Sequence, residues 1–280
     1  IMQANPYLMV SMADQFVPKM RYTFTYTSPL NYRNPIYWET TVSEASNILS
    51  LGYVIAGKKW NEPKKQMFKN PFAQFIKVSS EIRKSYKLGI NTRLATRIMG
   101  GVDFRKTWQI SDHSQLVAHL NAGLVWAYGN STFAPYSEQF YVGGANSIRA
   151  FNVRSIGPGA YLSDNSKYSF IDQTGDIKLL ANLEYRPRLF GNLYGALFLD
   201  AGNVWALKDD GIRKNSHLQL KNVLKQTALG TGIGIRYDLD FFVLRLDWGI
   251  GIHVPYKDGF YNMSGFGNSQ SLHFAIGYPF

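Results

Sequence analysis

At 280 residues the chain could build one or two soluble domains, yet with 15% aromatic and only 18% charged residues, below the usual quarter, it is poorly suited to a water-facing surface. A mean hydropathy of −0.19 excludes a bundle of membrane-spanning helices but is what strands alternating apolar and polar faces give, and zero cysteine excludes a disulfide framework and thiolate metal sites. The net charge of +11 admits nucleic acid, anionic lipid or lipopolysaccharide as partners; with no compact basic helix and no aromatic single-strand platform, nucleic acid is set aside.

The chain begins IMQANPYLMV, with no basic n-region and no signal pattern, so the export signal of such a protein is expected upstream. From 17–29 onward the apolar period is two rather than 3.6. A short turn near 30–34 precedes a long connection at 48–70 that carries Lys58, Lys59, Lys64, Lys65 and Lys69, a solvated face or a contact for lipopolysaccharide phosphates or a partner protein. An internal repeat of period 22 follows, residues 81–102 aligning without gaps to 103–124, with Arg83 on Arg105, Lys84 on Lys106, Leu94 on Leu116 and Gly101 on Gly123. Each unit reads as strand, polar turn and strand, so two hairpins form a meander. In 114–128, Leu116, Ala118, Leu120, Ala122, Leu124 and Trp126 oppose Gln115, His119, Asn121 and Gly123.

A Gly-rich loop then runs through Tyr141 to Gly159, YVGGANSIRAFNVRSIGPG, inside a long connection at 129–175. After it, Lys178, Asn182, Glu184 and Arg186 share a polar face, opposite Leu179, Ala181, Leu183 and Tyr185. Leu189 to Leu207 is nearly uncharged, but Asp200 and three glycines make it a poor membrane helix. In 225–237, Leu229, Ile233, Ile235 and Tyr237 oppose Ala228, Gly230, Gly232, Gly234 and Arg236. In 241–252, Phe242, Leu244, Leu246, Trp248, Ile250 and Ile252 oppose Val243, Arg245, Asp247, Gly249 and Gly251. The chain ends SLHFAIGYPF, where strict alternation places Leu272, Phe274, Ile276, Tyr278 and Phe280 on one face, with lipid the economical cover. Short turns (30–34, 88–92, 110–113, 188–192, 238–240) fall on one rim and long connections (48–70, 129–175, 206–224, 253–270) on the other, the asymmetry of outer-membrane barrels with the short side periplasmic.

Enzymatic patterns are weak. His113, His119, His217, His253 and His273 are scattered without ligand spacing. Gly230-x-Gly232-x-Gly234 lies in a strand with no helix to hold a pyrophosphate, and no serine sits in a GxSxG elbow. Asp209-Asp210 reads as a solvated loop pair, and Asn130-Ser131-Thr132 is a glycosylation sequon by pattern alone. No cofactor or metal is expected.

Three stretches resemble one family. Ile148-Arg149-Ala150-Phe151, preceded by GGANS, is similar to the Val-Arg-Gly-Phe/Tyr loop motif of the BamA and TamA family of outer-membrane insertases and translocases (bacterial surface antigen family), of the Bacteroidota type. NLEYRPRLFGNLYGALFLDAGNVW (182–205) resembles the paired strands that follow that loop, and the segments from Thr231 to Arg236 and Leu244 to Trp248 resemble the closing hairpins. The likeness is firm over 139–280 and loose before it. It implies an all-β fold, a transmembrane antiparallel β-barrel, of which this chain supplies the C-terminal strands: about eleven of about sixteen, with the first strands and POTRA domains upstream.

The resemblance further implies that the loop 129–175 inserts into the lumen, where Arg149 meets the acidic positions Glu184 and Asp200 of the next two strands. Ala150 stands where the family has Gly, which predicts a less sharply turned tip. The implied function is assembly and insertion of outer-membrane proteins, without hydrolysis. A terminal strand carrying Leu272, Phe274, Ile276, Gly277, Tyr278 and Phe280 would act as a lateral gate to which clients add a strand. Implied partners are unfolded outer-membrane clients, periplasmic or lipoprotein subunits, and outer-membrane lipid with lipopolysaccharide. The rival readings are a passive porin-like channel or a two-partner-secretion translocation channel.

Overall fold

The computed structural model describes residues 15–29, 36–60, 65–87, 93–98, 102–128, 133–163 and 172–280, with 79–87, 93–98 and 102–104 as backbone. The N-terminal segment, the turns expected at 30–34 and 88–92, Lys64 and the sequon 130–132 lie outside the described residues. The period-two segments form strands. β1 (Lys19–Thr27) and β2 (Ile36–Ala45) pair, and a helix, α1 (Asn47–Ile55), and a two-stranded flap, β3 (Gln66–Met67) with β4 (Asn70–Pro71), follow. Next come β5 (Phe75–Lys87), β6 (Arg93–Ile98), β7 (Val102–Ser111), β8 (Ser114–Leu124) and the short β9 (Trp126–Ala127). Beyond the long loop lie β10 (Ile177–Phe190), β11 (Leu193–Trp205), β12 (Ala228–Asp238), β13 (Val243–His253) and β14 (Gln270–Ile276).

All neighbours in the large sheet are antiparallel and its spatial order follows the sequence, β1-β2-β5-β6-β7-β8-β10-β11-β12-β13-β14. These eleven strands include both repeat hairpins, β5–β6 and β7–β8. Among the described residues β6 and β7 pair through Thr96↔Lys106 and Arg97↔Arg105, and β9 pairs directly with β5 through Phe75↔Ala127 and Ile76↔Trp126. Ala45, Ala73, Phe75, Val125, Ala127 and Ala134 fill a small core where the two meet.

The sheet is inverted relative to a soluble sandwich. Its outward face carries exposed Tyr22, Phe24, Tyr26, Trp38, Leu120, Leu183, Leu197, Leu199, Ile233, Ile235, Leu246 and Trp248. Its inward face buries Asn182, Glu184, Arg186, Asp200, Arg236, Arg245 and Asp247. Apolar side chains outside and ions inside are stable only if hydrocarbon bathes the exterior. The sheet is the wall of a transmembrane β-barrel, of which this chain forms an open part. No helix among the described residues is long and apolar enough to cross a membrane.

The end of the chain departs from the alternation. β14 stops at Ile276, so Gly277, Tyr278 and Phe280 lie outside it. Gly277 turns with φ +87, its N–H donates to Val243 O at 2.7 Å, and the last residues swing inward. Ile276 is 68% exposed on the outer face with Leu272 and Phe274, whereas Phe280 is 8% exposed and its ring stacks on His119 with centroids 5.0 Å apart. The single outward face expected for Leu272 through Phe280 therefore ends at Ile276. A glycine in a left-handed conformation resets the alternation, because residues after it no longer continue the pleat.

Leu199 sits midway along β11 on the outward face. Leu199→Lys places a cation near mid-bilayer, and urea titration of folding into lipid vesicles is expected to show a loss of about 2–4 kcal/mol.

Candidate functional site

The loop between β9 and β10 leaves the rim and returns to it as a hairpin. Bridges at Phe140↔Gly175 and Val142↔Ile156 form its stem. Gly143 and Gly144 take positive φ, as does Arg154, and Gly144 N–H donates to Phe151 O at 2.7 Å. These residues supply the sharp turns. Ala150 is not among the positive-φ residues, so alanine fits there without backbone strain. Ile148 is fully buried and Phe151 nearly so, in a core with Val142, Ile156, Leu180, Val204, Ala228 and Val254.

That packing lays Arg149 against the inner wall, fully buried. Its Nε and Nη2 donate to Asp200 Oδ2 and Oδ1, both at 2.8 Å, and its backbone N–H donates to Asp200 Oδ2 at 2.9 Å. Its Nη1 donates to Glu184 Oε2. The guanidinium stands 3.7 Å from the Phe198 ring centroid and 5.5 Å from that of Phe280. A planar fork can satisfy one carboxylate bidentately and a second at its outer nitrogen; an ammonium cannot.

Further residues complete the site. Asn182 Nδ2 donates to Ser147 O and to Asp200 Oδ1, both at 2.8 Å, holding the carboxylate that holds the loop. Arg245 Nη1 donates to Ala145 O at 2.8 Å and Nη2 to Asn146 Oδ1 at 2.5 Å. Arg236 and Arg245 lie directly opposite in the β12–β13 register, a like-charge pair that Glu184 and Asp247 offset: Arg236 reaches Glu184 at 3.2 Å and Asp247 at 2.6 Å. Arg186 donates to Glu184 Oε1 at 2.6 Å. Sequence alternation placed Arg236, Arg245 and Asp247 on the inner face; nothing in a single sequence placed them around Arg149, because that needs the cross-strand register.

Two glycines make room for the tip. A Cβ at Gly249 would fall 2.3 Å from Arg149 O, and one at Gly230 would fall 2.3 Å from the Ala150 Cβ. The stem is tied to the far strands as well, since Glu138 is shared by Lys19 of β1 and Lys77 of β5. Burial by itself would raise the Glu138 carboxyl, but the two lysines outweigh it and hold it below the usual carboxylate range. A depressed folded-state pKa stabilises the tie above the unfolded value of about 4.3 and is lost as pH falls through the folded one.

Three outcomes are expected. Among the described residues, Arg149→Ala leaves the buried Asp200 without its only arginine and takes one of three from Glu184, a cost of about 3–5 kcal/mol, read as lost heat-modifiability on gels and protease cleavage within 141–159. Gly249→Val should free the loop with every charge intact, giving the same cleavage. Glu138→Gln should raise cleavage of the stem at pH 7 to the level the unsubstituted protein shows only in acid, once pH falls through the depressed Glu138 pKa.

Residues 73–280 match the Omp85 superfamily domain, 208 of the 280 residues. Over 162 residues the chain is 31% identical to sorting and assembly machinery component 50 homolog B of Xenopus laevis, covering 53% of this chain and 33% of that protein. Against the Homo sapiens homolog it is 29% identical over 167 residues, covering 55% and 34%. The chain spans about a third of the length of the curated relatives it matches. Among solved structures, BamA from Haemophilus ducreyi lacking POTRA domains 1-3 aligns with a TM-score of 0.46 and 16% identity, over 93% of this chain and 55% of that one. With a transmembrane antiparallel sheet and a domain match over most of its length, the chain belongs to the Omp85 superfamily.

Proposed function

We propose that this protein is an outer-membrane assembly factor that inserts client β-barrel proteins by strand addition at β14, without hydrolysing anything. The observation that carries the reading is the shape of β14. It is seven residues long beside an eleven-residue β13, pairs only with β13 among the described residues, and ends where Gly277 turns the chain inward. A strand this short makes a weak seam with whatever neighbours it, and a seam that opens is a template for another strand. Leu272, Phe274 and Ile276 give that edge a lipid-facing side, so a client strand added there enters the membrane as it pairs.

In this reading the Arg149 loop keeps the adjoining β10–β13 wall rigid while the β14 edge exchanges partners. The short-turn rim and the chain's end face the periplasm, where upstream POTRA domains and periplasmic or lipoprotein subunits would deliver unfolded clients. Outer-membrane lipid and lipopolysaccharide surround the barrel. A passive porin needs an open lumen; the loop tip packed on the inner face of β10 to β13 weighs against it.

The chain has no cysteine, so engineered disulfides can be read cleanly. Ile276→Cys should be paired with cysteines at successive positions of the strand that neighbours β14 in the full-length barrel. Locking that seam is expected to stop assembly of other barrels while the protein itself folds. Normal assembly by the locked protein would overturn the gate and favour passage through the lumen.

A further inference from the structure

The helix α1 is amphipathic in the wrong sense for water. Its inward side is polar: Ser50 is fully buried and donates to Gln74 Oε1 at 3.0 Å, while Asn47 Oδ1 accepts from Gln74 Nε2 at 3.1 Å and from Tyr128 OH at 2.7 Å. Its outward side is apolar: Ile48, Leu51 and Ile55, spaced i, i+3 and i+7, are 61%, 53% and 81% exposed. The hydrogen bonds fix which side faces out, so the exposure is built in.

The depth of the helix is fixed by the residues that hold it. Tyr128, which bonds Asn47, packs its ring 5.5 Å from Trp126, and Trp126 lies opposite Ile76 on the outward face of the sheet. The helix therefore sits at the upper edge of the lipid-facing band, at the level where aromatic residues girdle a barrel. Immediately beyond it Lys58, Lys59 and Trp60 are exposed, and Phe68 and Lys69 project from the tip of the β3–β4 flap. Between residues 46 and 74 the sequence carries five lysines and one acidic residue, Glu62.

We propose that α1 is an interfacial membrane anchor, lying in the leaflet at the long-loop rim with Ile48, Leu51 and Ile55 in the acyl layer and Lys58, Lys59 and Lys69 on lipid phosphates. Two observations carry it: the exposed apolar face belongs to a helix bonded beside the outward Trp126 at the edge of the wall, and the flanking lysines match an anionic headgroup layer. The inference rests on the membrane-spanning fold but not on which compartment that rim faces.

The test uses the full-length protein with single cysteines, Ile55→Cys, Leu199→Cys in the wall and Asp209→Cys in a loop, each labelled with an environment-sensitive fluorophore. The protein is reconstituted in vesicles of phosphatidylcholine alone or mixed with phosphatidylglycerol. The label at 55 is expected to be quenched by a bromolipid and severalfold less by iodide than the label at 209. Adding Lys58→Glu with Lys59→Glu should raise iodide access at 55 in phosphatidylglycerol vesicles. Iodide access at 55 equal to that at 209, with 199 still shielded, overturns the anchor and leaves the barrel standing. Access at both 55 and 199 overturns the membrane-spanning reading as well. Shielding at 55 without bromolipid quenching means protein covers the helix, and also overturns the proposal.

Discussion

A guanidinium taken wholly out of water is tolerable only where carboxylates wait for it, and that requirement organises the lumen. Arg149 commits Asp200 on both oxygens and Glu184 on one, so β10 and β11 must hold a fixed register to present the two acids together. Asp200 also accepts from the Arg149 backbone, and so fixes the main chain of the loop as well as its side chain. A loop anchored only by apolar packing could slide, whereas a bidentate fork has one geometry. Four guanidiniums (Arg149, Arg186, Arg236, Arg245) face three carboxylates (Glu184, Asp200, Asp247) there, so losing any one acid leaves several cations buried against each other.

The glycines of β12 and β13 are the other half of that requirement. Chain must approach chain closely for Arg149 to reach β10 and β11, and side chains at Gly230 or Gly249 would block it. The inner faces of these strands thus alternate glycines that admit the loop with the ions Arg236, Arg245 and Asp247, while their outer faces are apolar. Their outer residues answer to lipid and their inner residues to one loop.

Much of this was legible in the sequence, because a barrel strand has only two faces and period-two alternation assigns each side chain to one of them. Glu184 and Asp200 fell on the inner face by that rule, and the likeness of Ile148 to Phe151 to a known loop paired them with Arg149. The rule fails where the pleat ends. Phe280 looked lipid-facing by parity, but the left-handed turn at Gly277 sends it inside, and a single φ cannot be read from composition. It also fails for segments held by side chains: α1 fell within a connection, since its apolar spacing is too short to stand out and its orientation depends on Gln74 and Tyr128, distant in sequence. The Asn182 and Arg245 contacts with the loop were hidden for the same reason, as they depend on register across strands.

The stacking of Phe280 on His119 has a consequence for the order of events. That contact joins residues 161 apart, and the Arg149–Asp200 bonds join residues 51 apart, so neither can close until the intervening strands are in place. Loop-closure entropy makes such distant contacts the slow and late ones. The lumen cluster is therefore assembled after the strands that carry it. Arg149 can meet Glu184 and Asp200 once β10 and β11 have paired, whereas Phe280 can cover its guanidinium only after β12 to β14 have followed.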